Sequence, residues 1–243
     1  MNEHPERDVE RIGRLPELKI RRSRLAELIE GLSPVQLADL VERLYFGKLP
    51  RTHSGTYVDF VAALRLDPGL EYALRRDVYE IMTSKGYKSA PALLEIPPRY
   101  HLAQFPIYEL EEVPLGMRKW RARSRDKDLI SLMCNDRHPD VIGILLENPV
   151  VTQANVMHIV TLRPQRAEVI ERVLMSPKWT YRQDVLKGIV RNPWTPAGLA
   201  VALLPVVDLP TLEDIAIDGT LHHLVNETAQ KLIERIKGEH KVN

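Results

Sequence analysis

The second half of the chain repeats one apolar pattern six times: two adjacent hydrophobic residues, two residues of other types, then two more hydrophobic ones. The copies begin at residues 129, 141, 155, 169, 185 and 199, and Asn155 replaces the first apolar residue of the third copy. Apolar residues at i, i+1, i+4 and i+5 form one stripe on an α-helix and none on a β-strand. A short helix cannot bury its stripe alone, so the pattern predicts helices that stack in an array.

Proline-containing pairs separate the copies of this pattern. They are His138-Pro139, Asn148-Pro149, Arg163-Pro164, Ser176-Pro177, Asn192-Pro193 and Leu209-Pro210. A proline disfavours helical backbone at the residue before it and presets a turn, so each pair is predicted to lie between two helices. The Asn-Pro prolines lie 44 residues apart, a spacing typical of two- or three-helix repeats.

Three zones are predicted along the chain. Residues 1–95 read as an N-terminal helical domain, with helix starts at Ser33-Pro34, a capping box with Gln36, and at Asp67-Pro68. Residues 96–117 contain four prolines and read as an extended connector. Residues 118–243 are the helical array, in which the pattern weakens after residue 205. The predicted fold class is therefore all-α, with an N-terminal helical domain and a C-terminal α-solenoid-like array.

Composition narrows the class of protein. The chain has 243 residues, of which 44% are hydrophobic and 28% charged, a balance typical of soluble globular proteins. Its formal net charge is only +1, so any electrostatic recruitment of nucleic acid or membrane must be local. Cys134 is the one cysteine, which excludes an internal disulfide and fits a reducing compartment. The first twelve residues lack an apolar signal core and no apolar run is long enough to span a bilayer, so the prediction is cytoplasmic.

Two stretches carry a resemblance to a known family. Residues 145–152 (Leu-Leu-Glu-Asn-Pro-Val-Val-Thr) and 186–196 (Leu-Lys-Gly-Ile-Val-Arg-Asn-Pro-Trp-Thr-Pro) resemble the Asn-Pro helix ends of bacterial HEAT-like and leucine-rich-variant α-helical repeat proteins. The run from about Pro114 to Ala216 is also similar to a group of proteobacterial proteins. The resemblance implies a right-handed stack of short HEAT-like helices and a role in binding other macromolecules. It implies no enzymatic activity.

The densest local charge lies at residues 118–127, where six basic residues surround one tryptophan. The members of interest are Arg118, Lys119, Trp120, Arg121, Arg123 and Arg125. This density suits contact with phosphates, with Trp120 stacking on a base, and it equally suits an acidic protein partner. The alternative is a solvated first helix whose arginine stems cover the end of the array while Trp120 packs inward.

Two further tryptophans and two asparagines lie beside the prolines. Trp179 and Trp194 are binding anchors if they are exposed, and wedges between adjacent turns if they are packed. Asn148 and Asn192 end equivalent helices, where their side chains can cap backbone groups or offer amides to an extended ligand. Packing and capping are the favoured interpretations.

Signatures of catalysis and of metal binding are absent from the sequence. There is no Gly-rich phosphate loop, Gly-x-Ser-x-Gly elbow or His-Glu-x-x-His motif. Cys134 and His138 have ligand spacing, but no second pair completes a site. A helical-repeat enzyme with a lone acid in a groove remains an alternative, with Glu168, Glu171 and Asp184 as its candidates.

The prediction of function is a non-catalytic protein–protein interaction scaffold with no cofactor and no metal. The residues predicted to contact the protein partner are Arg118, Lys119, Trp120, Arg121, Arg123, Arg125, Trp179 and Trp194. The alternative is a nucleic-acid-binding module that uses the basic segment 118–127.

Overall fold

The computed structural model describes residues 4–96 and 109–239, and regular structure within these ranges is exclusively helical. The α-helices are α1 (Pro5–Gly13), α2 (Leu18–Glu30), α3 (Pro34–Phe46), α4 (Leu49–Thr52), α5 (Ser54–Leu66), α6 (Tyr72–Ser84), α7 (Glu109–Glu112), α8 (Leu115–Arg121), α9 (Lys127–Met133), α10 (Pro139–Glu147), α11 (Gln153–Thr161), α12 (Ala167–Leu174), α13 (Gln183–Val190), α14 (Ala197–Leu203), α15 (Leu209–Ile217) and α16 (His223–Glu239). Short 3-10 helices cover Ala90–Leu93 and Leu204–Val206. The all-α prediction is confirmed, and no described helix is long and apolar enough to cross a membrane.

The repeated apolar pattern marks helices α9 to α14, one copy in each. Its hydrophobic residues are buried in every copy apart from Leu129, which is half-buried. The prediction that each copy is one helix with one buried stripe is therefore confirmed.

The chain divides into two compact units. We call Pro97–Pro196 the central unit, and Met1–Ile96 together with Ala197–Asn243 the terminal unit. This grouping differs from the predicted one, in which everything after residue 117 formed a single array. The predicted connector falls mainly on residues 97–108, which lie outside the described residues. Its end at 109–117 is not extended, because α7 and the start of α8 lie there.

Helices of the central unit pack mainly against the second helix along the chain. α8 contacts α10, α10 contacts α12, and α11 contacts α13, while α8 with α9, α9 with α10 and α11 with α12 also touch. Their caps follow from the sequence. Thr152 and Asn155 form a capping box at the start of α11, and Asp126 caps α9.

The terminal unit is built around α14. All seven residues of α14 are buried, and it packs against α5, α16 and the 3-10 helix Ala90–Leu93. Two buried tyrosines fix it, because the hydroxyl of Tyr45 donates to the Val201 carbonyl and that of Tyr57 to the Ala202 carbonyl, each at 2.9 Å. These contacts are the physical reason why residues 197–243 group with 1–96.

The two predicted helix starts in residues 1–95 have different outcomes. At Ser33 the capping box is present, with the Ser33 amide donating to Gln36 Oε1 at 3.0 Å and the Gln36 amide to Ser33 Oγ at 3.3 Å. The start at Asp67-Pro68 is wrong, because α6 begins at Tyr72. Asp67 instead follows the end of α5 and accepts a hydrogen bond from the Gly69 amide at 2.8 Å, which makes a turn.

Candidate interaction surface

The basic segment begins with Arg118, a buried arginine whose hydrogen bonds are made within the central unit. Arg118 is buried, and its Nη1 lies 2.9 and 3.0 Å from the two carboxylate oxygens of buried Asp136. Its Nε donates to the Val113 carbonyl at 3.1 Å. This buried ion pair joins α8 to the loop between α9 and α10. Arg118 is therefore corrected from a partner-binding residue to a structural one.

The next residue, Lys119, belongs to a bridge across three helices. Its Nζ lies 2.7 Å from Asp140 Oδ2 on α10, and Arg172 Nη2 on α12 lies 3.5 Å from Asp140 Oδ1. The hydrogen bond from Lys119 and its charge lower the pKa of Asp140, with smaller contributions from His138 and Arg172. The charge of Lys119 is therefore mainly paired with Asp140, within the central unit.

Trp120 does not pack inward. Its side chain is 64% exposed, and Met117, one turn earlier on α8, is 49% exposed. The interpretation in which Trp120 is packed inward, against the end of the array, is therefore wrong. An exposed tryptophan beside an exposed methionine is uncommon on a surface that contacts only water, and both residue types are enriched in binding interfaces.

The basic residues after Trp120 keep their charges available. Arg121 is half-buried, and Arg123, Arg125 and Lys127 are exposed. None of the four has an acidic partner among the ion pairs of the described residues. Arg123 also donates from Nη1 to the Lys119 carbonyl at 3.0 Å, which holds its guanidinium at the C-terminal end of α8. We call Met117, Trp120, Arg121, Arg123 and Arg125 the α8 patch.

A groove of about 380 Å³ adjoins this patch. α10 provides its floor with Gly143, Ile144 and Glu147. Lys119 of α8 and Arg123, two residues after the end of α8, line one side. The other side consists of Arg172, Met175, Ser176 and Pro177. Arg123 therefore belongs to both the α8 patch and the groove, so the two form one continuous surface.

Sequence reasoning did not identify this groove, because its lining comes from three separate helices. One signal was present. Gly143 lies in the middle of α10, where glycine costs about 1 kcal/mol relative to alanine. A Cβ at Gly143 would lie 3.3 Å from Cδ and Nε of Arg172. The glycine thus lets the Arg172 side chain approach the floor of the groove closely.

Trp179 and Trp194 are not anchors. Trp179 is 3% exposed, its Nε1 donates to the Leu146 carbonyl at 3.0 Å, and Lys178 Nζ lies 4.4 Å from the centre of its ring. Trp194 is 8% exposed. Both residues are therefore corrected from partner-binding to packing residues, because burial removes their ring faces from any partner.

Asn148 and Asn192 cap backbone groups in the same way. Asn148 Nδ2 donates to the Ala122 and Ser124 carbonyls at the end of α8, at 3.0 and 2.7 Å. Its Oδ1 accepts from the amide two residues later, at 3.0 Å. Burial of this side chain leaves no amide for a ligand. The capping interpretation is confirmed for Asn148.

Asn192 repeats the arrangement in the other series of helices. Its Nδ2 donates to the Val160 and Leu162 carbonyls at the end of α11, at 2.7 and 3.1 Å, and its Oδ1 accepts from the Trp194 amide at 3.0 Å. Each asparagine thus follows one helix and caps the helix packed beside it, α10 on α8 and α13 on α11. The 44-residue spacing relates equivalent positions three helices apart.

The remaining candidates for chemistry are dispersed. Glu168 and Asp184 are exposed, Glu171 is half-buried, and Asp184 accepts a hydrogen bond from Gln153 Nε2 at 2.7 Å. Cys134 is buried, and this burial raises the pKa of its thiol to about 11. His138 Nδ1 accepts from the Asp140 amide at 3.2 Å and so caps α10. Within the described ranges, no three His, Cys, Asp or Glu residues come together in a way that could hold a metal ion.

Comparison with protein-family profiles, with curated proteins and with solved structures yields no match to this chain.

Proposed function

We propose that this protein is a non-catalytic interaction scaffold, built on HEAT-like helical repeats, that binds a protein partner through the α8 patch and the adjoining groove. One observation carries the proposal: Trp120 is 64% exposed and is followed by three arginines, Arg121, Arg123 and Arg125, that have no acidic partner in the described part of the chain. Tryptophan and arginine are the residue types that most often dominate the energy of protein–protein interfaces.

The repeat architecture is supported by the packing within the central unit. Next-but-one contacts join α8, α10 and α12 in one series and α11 and α13 in another. Asn148 and Asn192 make the same set of hydrogen bonds in the two series. Recurrent packing with a recurrent cap is what stacked helical repeats require, since each unit contacts mainly its neighbours.

The charges favour an acidic protein over nucleic acid. Two of the six cations in the basic segment, Arg118 and Lys119, are already paired within the central unit. The groove also contains Glu147, an exposed carboxylate that would repel a phosphate backbone. A protein partner can place a basic or neutral group near Glu147 and acidic groups near the arginines, whereas a polyphosphate cannot.

The test is a comparison of Trp120→Ala with Tyr72→Ala. Tyr72 lies on α6 of the terminal unit and is 63% exposed, so the control removes an equally exposed aromatic ring elsewhere. Proteins captured from the host lysate on wild-type protein would be identified by mass spectrometry, and the purified partner titrated against each variant. We expect Trp120→Ala to weaken binding about 30-fold, equivalent to about 2 kcal/mol for a hot-spot residue. Equal affinities of the two variants would contradict the proposal.

Salt dependence separates the protein partner from nucleic acid. Labelled single-stranded DNA, duplex DNA and RNA would be titrated at low and moderate salt. Four phosphate contacts would weaken binding about 100-fold between about 50 and 200 mM salt. We expect no such binding, and a much shallower salt dependence for the protein partner. Tight, salt-sensitive nucleic-acid binding that is lost in Arg121→Glu/Arg123→Glu and kept in Arg7→Glu/Arg14→Glu would replace the proposal with the alternative.

A further inference from the structure

The groove beside the α8 patch follows one face of α10. Asp140, Gly143, Ile144 and Glu147 line it at positions i, i+3, i+4 and i+7, which lie on one side of an α-helix. From the first of these residues to the last, the helix rises about 10 Å, at about 1.5 Å per residue. An extended peptide of about four residues spans the same length. The groove therefore has the length of a short extended segment.

The middle of the groove floor is apolar. Gly143 contributes no side chain there, and Ile144 beside it is half-buried, so part of its side chain faces the groove. On the α12 side, Met175 is 39% exposed and Pro177 is also exposed. Contact with an apolar side chain would remove these carbon atoms from water, which is favourable. The floor therefore accommodates one apolar residue of a partner.

Two arginines on opposite sides of this floor have hydrogen-bond donors to offer. Arg123 is exposed and uses Nη1 for the Lys119 carbonyl. Arg172 is 48% exposed, and its Nη2 lies 3.5 Å from Asp140, whereas Lys119 pairs with the other oxygen of that carboxylate at 2.7 Å. A guanidinium carries five N–H donors, and a carboxylate accepts two of them in parallel. Each arginine can therefore bind one further carboxylate.

The remaining charges favour a peptide over other anions. The groove is lined by three cations and two anions, and Arg121 and Arg125 of the α8 patch add two more cations. An acidic segment is therefore attracted and a basic one repelled. Glu147 is exposed and makes no ion pair among the residues that the structure describes. Its carboxylate accepts hydrogen bonds, and an extended peptide backbone has free amides that donate them.

We propose that the groove binds an extended acidic segment of the protein partner. One apolar side chain of the segment lies on Ile144, its carboxylates pair with Arg123 and Arg172, and a backbone amide donates to Glu147. This inference rests on the proposed function, because it names the part of the partner that enters the groove. It adds the chemistry of that part, which is an apolar residue flanked by Asp or Glu.

The experiment is the selection of a random peptide library, displayed on phage, against the full chain. We expect the selected peptides to contain Asp and Glu about threefold or more above the starting library, on both sides of an apolar residue. A synthetic copy of a selected peptide should bind, and an analogue in which amides replace the carboxylates should not. Selected peptides without an acidic excess, or no selected peptides, would overturn the inference.

Two double variants and one spectroscopic readout place the peptide in the groove. Arg123→Gln/Arg172→Gln should weaken binding of the synthetic peptide about tenfold or more, because two charge-assisted contacts are lost. Arg7→Gln/Arg14→Gln changes the net charge equally at two exposed positions of the terminal unit and should leave binding unchanged. Equal weakening in both would refute the site. In methyl NMR of the wild type, the peptide should shift Ile144, and shifts confined to other methyl groups would also refute it.

These outcomes are distinguishable from those of the proposed function. If no acidic peptide binds the groove while Trp120→Ala still weakens the partner, the inference about the groove fails and the proposed function stands. If acidic peptides bind the groove while the partner is insensitive to Trp120→Ala, the α8 patch fails as the partner site and the peptide site stands.

Discussion

Helices α13 and α14 carry the same six-residue apolar pattern but end in different surroundings. α13 lies in the central unit, buries its stripe and leaves Gln183 and Asp184 exposed. α14 lies in the terminal unit and is buried on every side. The difference is carried by the positions outside the apolar pairs, which are Gln, Asp, Lys and Gly in α13 and Ala, Gly, Val and Ala in α14. The stripe predicts that a helix packs, and the remaining positions determine how many neighbours it packs against.

The largest expected effect tests the close approach of α14 to its neighbours. A Cβ on Gly198 would overlap the backbone carbonyl oxygen of Leu94, which has no freedom to move aside. Gly198→Ala should therefore destabilise the terminal unit by about 3 kcal/mol or more, as overpacking against backbone does. The measurement is the urea midpoint of unfolding.

The matched control for this change is Gly143→Ala in the central unit. There the new Cβ would meet the Arg172 side chain at 3.3 Å, and that side chain is 48% exposed and can shift. We expect stability unchanged or increased by up to about 1 kcal/mol, because alanine is the better helix former. Similar losses in both variants would show that α14 is no more tightly surrounded than α10.

An intermediate effect is expected for the two capping asparagines. Asn148→Ala and Asn192→Ala each remove two hydrogen bonds to backbone carbonyls, one of them buried and the other part-buried. Each should cost about 2–3 kcal/mol, with the two losses equal within error. Chemical denaturation of both variants checks this. A loss at one position alone would break the equivalence of the two series of helices.

The smallest effect concerns the Asp140 bridge at the groove. The folded-state pKa of Asp140 is lowered from 3.8, so its contribution is present above that pH and is lost as pH falls through the folded value. Asp140→Asn should be slightly less stable than wild type at neutral pH, and the gap should close as the pH falls below 3.8 and through the lowered folded-state pKa. Denaturation at a series of pH values gives the gap, and a gap that widens in acid would contradict this sign.

Local features of the fold were predictable from the sequence. The stripe located α9 to α14, and Ser33 with Gln36 located the start of α3, because the residues involved lie within a few positions of one another. Asn148 and Asn192 were predictable as caps from their position before proline. Which helix each one caps was not predictable, because the acceptors lie 24 to 32 residues away.

The surface was much less predictable. Arg118 and Arg123 lie in one basic run, yet the first is buried against Asp136 and the second is exposed. The three tryptophans divide similarly, with Trp120 exposed and the other two buried. The residue type shows which interactions a side chain is able to make. Whether the side chain is exposed depends on residues from other helices, which the local sequence does not reveal.

The two segments of the terminal unit are synthesised at different times, because the central unit lies between them in the sequence. Tyr45 and Tyr57 leave the ribosome about 150 residues before their acceptors, the carbonyls of Val201 and Ala202. At about 5–20 residues per second, the 100 residues of the central unit delay those acceptors by about 5–20 seconds. During that interval the hydroxyls of Tyr45 and Tyr57 lack their α14 acceptors, and the apolar surface that α14 covers in the folded protein is exposed. The central unit, which is contiguous, can complete its own packing first, so the part synthesised earliest is the last to become native.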